Sequence, residues 1–233
     1  MQFKTLTPDE ALQLAGLPLD YEWSTLIGNG FIAASDDSHP QLADALEALN
    51  IYGAADLYLA AAERIVARVQ HHMPVEDGLL RLQSAWAATV DPRYSTLADA
   101  DPSKVAPDDA WTLPEWRVRR AIGGVVESLE AGETSMVRRF ALGTLLMAEH
   151  VCGRDPAFRA WWAGAPQAKA QSSPRRADDR DYTFHDTQPP TPAELVAPSR
   201  HARLEGLNPA TNPYLRSAAD MAALGFTGEP YTV

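Results

Sequence analysis

His71 and His72 stand side by side, followed after Pro74 by Glu76 and Asp77. Imidazoles and carboxylates are the materials of a metal site or of general acid–base chemistry. The spacing opposes joint chelation. Neighbours on a helix point about 100° apart, and no His-Glu-x-x-His run accompanies them. The pair fits a helix C-terminus, where imidazoles sit well against the negative end of the dipole. The functional alternative is a site completed by Glu76 or Asp77 across the Pro74 turn.

A second candidate is Glu149, His150 and Cys152. A thiol beside a base is the arrangement of a cysteine nucleophile. On a helix, however, residues two apart face different ways. Cys152 therefore reads as a small buried residue near a helix end. It is the only cysteine, so no internal disulfide forms, which fits a reducing compartment. Gly28, Asn29 and Gly30 lack the spacing of a nucleotide-binding loop and read as a turn. The acidic pairs Asp36 and Asp37, and Asp108 and Asp109, precede predicted helices and suit capping. No catalytic residue, cofactor or metal site is expected from these patterns.

The tryptophans carry more information. Trp161 and Trp162 are consecutive, so they cannot both face one core. One is expected to anchor a partner or to cover the C-terminal part of the chain. Leu215 and Leu224, in a late amphipathic segment, are the other expected partner-binding anchors.

These residues must be positioned by helices. Thr7, Pro8, Asp9 and Glu10 form a capping box with proline at the first helical position. Apolar stripes at helical spacing predict helices near residues 40–50, 54–71, 75–90 and 134–151. Thr112 and Glu115 read as a second capping box, opening a helix to residue 131. Gly123 and Gly124 inside it imply close approach of a neighbour. Thr191 and Glu194 read as a third box. The least helical stretch, 17–34, is expected to hold a short β-hairpin near Asn29 or a loop pinned by Trp23 and Phe31.

Near Gly164 the composition changes. Nine of the 18 prolines fall after residue 165, and all six tryptophans fall before it. The expected architecture is mainly α. It is an irregular bundle of about six to eight helices over residues 1–165, with a proline-rich, largely extended C-terminal arm over 166–233. Residues 166–211 are expected to be extended and protease-sensitive, with a short amphipathic helix near 213–224.

Residues 1–165 hold 13 Lys and Arg against 23 Asp and Glu, a balance of −10, while 166–233 hold 7 against 8. Such a body repels phosphate backbones, which disfavours nucleic acid, and suits a protein partner with a basic surface. No apolar signal core or membrane-length run is evident, so a cytoplasmic bacterial protein is expected. Three functions fit. The first is an interaction protein: an adaptor, an assembly factor or a toxin-neutralising immunity protein. The second is an enzyme with scattered groups such as His71, Glu76, Glu149 and His150. The third is a structural subunit forming a homo-oligomer through its arm.

Overall fold

The computed structural model describes residues 3–100, 106–177 and 203–231. Among them the chain is mainly α, with nine α-helices and no strand. Helix α1 (Pro8–Gly16) opens with the capping box. The Glu10 amide donates to Thr7 Oγ1 at 3.3 Å, and the Thr7 amide donates to Glu10 Oε2 at 2.8 Å. Those bonds from Thr7 hold the Glu10 carboxyl below its ordinary range.

Residues 25–32 are helical, where a hairpin or loop was expected. Helix α2 (Thr25–Ile32) is capped by Ser24, whose Oγ accepts from the Ile27 amide at 3.2 Å. Neither Gly28 nor Gly30 has positive φ, so neither makes a left-handed turn. At Gly28 what matters is small size. A Cβ there would lie 2.6 Å from Arg117 Nη2. A Cβ on Gly143 would lie 2.5 Å from the Phe31 carbonyl oxygen. Close approach thus outweighs the low helix propensity of glycine.

Helix α3 (Pro40–Glu47) leads to α4 (Ile51–Val69), the centre of the fold, in which every residue is buried. Around it pack α1, α5 (Glu76–Ala88), α6 (Leu113–Ala131), α7 (Thr134–Cys152) and α8 (Pro156–Ser172). Its longest contact is with α7. A helix enclosed on all sides must satisfy its charges internally. Arg68 does so with backbone carbonyls. It donates to Leu17 O at 2.7 Å and Val151 O at 3.1 Å, and also to Pro18 O. It thereby ties the ends of α1 and α7 to the core.

The expected box at Thr112 does not form. A 3-10 turn, Ala110–Thr112, runs straight into α6 and puts Thr112 in helical conformation, where it cannot cap. Asp109 caps that turn instead, accepting from the Trp111 amide at 2.9 Å. Glu115 is 0% exposed and accepts from Arg119 Nε at 2.7 Å. The glycine pair of α6 does meet close neighbours. A Cβ on Gly123 would lie 2.8 Å from Leu97 O, and one on Gly124 would lie 2.9 Å from the Phe140 ring.

The composition break at 164–166 is not a structural break, because α8 continues through the buried Pro166 to Ser172. The chain then runs along the α3–α4 junction. Asn50 N donates to Ser173 O at 3.0 Å, and Arg175 N donates to Ala48 O at 2.8 Å. Arg180, the Thr191 box and much of the expected protease-sensitive stretch lie outside the described residues. Residues 203–231 fold back on the body. Leu204, Leu215 and Met221 form a second apolar cluster with Ala87, Val90 and Tyr94. The late helix is shorter than expected. Thr96 N donates to Tyr214 O and Arg216 N to Tyr94 O, both at 2.9 Å, which pairs Leu215 with Ser95 in an isolated antiparallel bridge instead of a helix. Ser217 then caps α9 (Ala218–Ala223). Among the described residues, no helix is long and apolar enough to cross a membrane.

Candidate functional site

Helices α2, α6 and α7 enclose a half-open cleft of about 620 Å³. Its apolar surface comes from Phe31 and Ile32 of α2 and from Phe140 and Met147 of α7. On α7 the lining positions 136, 140, 143 and 147 recur at helical spacing, so one face of that helix forms a wall. Arg117 and Arg120 of α6 and Arg139 of α7 supply the charge, and the lining contains no Asp or Glu.

The arginines are differently held. Arg117 packs on Gly28 and donates through Nη2 to Asn29 Oδ1 at 3.3 Å. Its Nε and the Trp23 Nε1 are buried without a hydrogen-bond partner among the described residues. Burial and the like charge of Arg120 lower the Arg117 pKa. The Arg120 guanidinium stands 5.4 Å from the Trp116 ring. None of the three arginines makes an ion pair among the described residues. An anion entering the cleft would meet positive charge with no competing carboxylate in the lining.

Helix α2 leaves most of its side chains open to solvent. Of its eight residues only Gly28 is buried, while Leu26 is 83% and Ile32 61% exposed. The segment meets α7 through the close approach of Phe31 to Gly143 and through His150. That ring lies 6.1 Å from Trp23 and 5.6 Å from Phe31, centroid to centroid. Its Nε2 donates to the Glu22 carbonyl at 2.6 Å, since a carbonyl only accepts.

The four expected partner anchors are not brought together. Trp161 is half-buried under the Arg64 guanidinium, 3.8 Å from its centroid, and lines a cavity of about 700 Å³. Trp162 is half-buried, stacks on Phe158 at 5.9 Å and lines a different cavity, beside His39 and Leu42. The two rings line different cavities, yet their centroids are 6.4 Å apart and both pack on Phe158 and the main core, contrary to the expectation that they could not share one. Leu215 is 4% exposed inside the second apolar cluster, so it serves this chain's own packing. Leu224 is 47% exposed.

The larger cavity is bordered by an internal polar network. Asp56 accepts from Lys169 and Arg203. Glu63 accepts from the Lys4 and Thr5 amides, both at 2.7 Å, and from Trp86 Nε1 at 2.9 Å. Those carboxylates are engaged in holding the N- and C-terminal segments. His71, His72 and Glu76 are exposed, and no hydrogen bond or ion pair joins them to Glu149 or His150. Cys152 is buried, and burial pushes its thiol up to about 12, far from a nucleophile's range. Among the described residues no group of three or more His, Cys, Asp or Glu could hold a metal ion.

The cleft arginines were missed in the sequence, although a signal for them was present. Five of the 13 basic residues of 1–165 are Arg117, Arg119, Arg120, Arg138 and Arg139. A local charge count would have found this basic stretch in an acidic body. No protein-family model, curated protein or solved structure matches the chain.

Proposed function

We propose that this protein acts by binding another protein, with α2 and the cleft behind it as the docking face. An adaptor, an assembly factor and an immunity protein all fall within that reading. The observation that carries it is the pair Leu26 and Ile32, large apolar side chains turned to solvent on a helix that buries only Gly28. Apolar side chains left open beside a groove mark an interaction surface. A partner covering them would gain the buried anchors that set dissociation rates. The earlier anchors contribute less. Leu215 faces inward, and Trp161 and Trp162 already pack on the core.

The test is tagged capture from the native host, comparing the wild type with Leu26→Asp/Ile32→Asp. The recovered partner is then purified and titrated. Both positions are exposed, so the melting temperature should hold. Affinity should fall at least about tenfold, the effect of removing an interface anchor. Unchanged affinity in a folded double variant would overturn α2 as the docking face.

A further inference from the structure

Resting on that reading of α2, we infer that the cleft receives an acidic amphipathic helix of the partner, with its apolar side on Phe31, Ile32, Phe140 and Met147 and its carboxylates against Arg117, Arg120 and Arg139.

Charge complementarity specifies the sign. The protein carries a net charge of −11, yet three cations converge on one cleft whose lining holds no carboxylate. The neighbouring arginines are matched within the chain. Arg119 bonds Glu115 at 2.7 Å, and Arg138 bonds Glu47 at 3.1 Å. Arg117, Arg120 and Arg139 are left over. Acidity more than about 8 Å away is largely screened at physiological salt and does not cancel them, although Arg139 also borders a second cavity lined by Asp36 and Glu47. A basic partner, favoured by net charge alone, would be repelled at this face. Guanidinium also suits carboxylate geometrically, since its planar fork makes paired hydrogen bonds.

The mode of binding follows from the walls. Among the described residues the chain has no strand, so no sheet edge is offered for strand addition. What is offered is a groove between helices with an apolar floor and a polar rim, which suits an amphipathic helix. Ile32, 61% exposed, carries the apolar lining out to solvent. A small carboxylate filling the cleft would leave the solvent side of that residue uncovered, whereas a helix crossing α2 would cover it.

The test places a photo-crosslinking benzoylphenylalanine at Ile32 of the full chain, expressed in the native host. The adduct is digested and the attached segment sequenced. That segment is then synthesised and titrated against the wild type, Arg120→Glu and Arg139→Glu. The expected segment has apolar residues at helical spacing flanked by Asp or Glu. Each charge reversal should weaken its binding by roughly tenfold or more, with the difference shrinking in high salt. Arg120→Lys should retain most of the affinity. Arg117 supports α2 through Gly28, so the two exposed arginines carry the test, with melting curves as the folding control. A neutral or basic segment, or affinity indifferent to both reversals, overturns the acidic-helix assignment and leaves α2 as a docking face. An adduct only with a second copy of this chain also overturns the assignment. A lipid or small-molecule adduct, or none, overturns the docking reading as well.

Discussion

Arg203 grips the buried carboxylate of Asp56 with two parallel hydrogen bonds, Nη1 to Oδ1 at 2.7 Å and Nη2 to Oδ2 at 2.8 Å. A residue distant in sequence thus neutralises an acid on the central helix. Lys169 of α8 shares the load at 2.9 Å, and the Arg203 guanidinium also covers the Trp86 ring at 4.8 Å. The C-terminal segment is therefore part of the folded body.

Arg203→Ala should destabilise the fold by about 2 kcal/mol. That is below the range for orphaning a buried charge, because Lys169 still faces Asp56. Arg203→Lys should recover only part, since an ammonium cannot make the paired bonds. Urea unfolding midpoints measure both. An unchanged midpoint in Arg203→Ala would show that the clamp contributes nothing.

Leu215 and Leu224 should respond in opposite ways to the same substitution. Leu215→Asp puts a charge among Val90, Tyr94, Leu204 and Met221 and should cost about 3 kcal/mol. Leu224→Asp lies on an exposed position and should change stability by less than about 0.5 kcal/mol. Hydrogen exchange at the Thr96 and Arg216 amides, which bridge the segment to the body, should accelerate only in the first variant. Equal behaviour of the two variants would contradict the packing.

Glu115 gives a pH signature. Burial raises its pKa above the ordinary 4.5, against the pull of Arg119. The folded state therefore holds that proton more tightly than the unfolded chain does. Its favourable contribution is complete below 4.5 and is lost as pH rises through the folded value. The stability of the wild type relative to Glu115→Gln should accordingly fall as pH rises above the ordinary value of 4.5. Parallel urea titrations measure it. A constant or rising difference would contradict the raised value.

The sequence by itself determined the helical class and the strongest helix signals. The Thr7 and Glu10 box acts locally, within one turn, so α1 was legible. The stripe of α7 was legible for the same reason, because its period is a property of the helix alone. So was the burial of Cys152, a small apolar residue near a helix end. Only the tertiary structure decided α2, where Gly28 and Asn29 locally favoured a turn but Arg117 and Gly143 reward a close-packed helix. Only the fold decided that Thr112 does not cap, that Pro166 sits inside α8, and that Leu215 faces inward. The cleft divides in the same way. Its arginines are visible in the sequence as a basic stretch. Which of them find carboxylates depends on how α3, α5, α6 and α7 are rotated against one another. Glu115 and Asp77 take Arg119 and Glu47 takes Arg138, which leaves Arg117, Arg120 and Arg139 to face the cleft. Ion pairing acts over a few ångströms in space, and no spacing along the chain encodes that distance between separate helices.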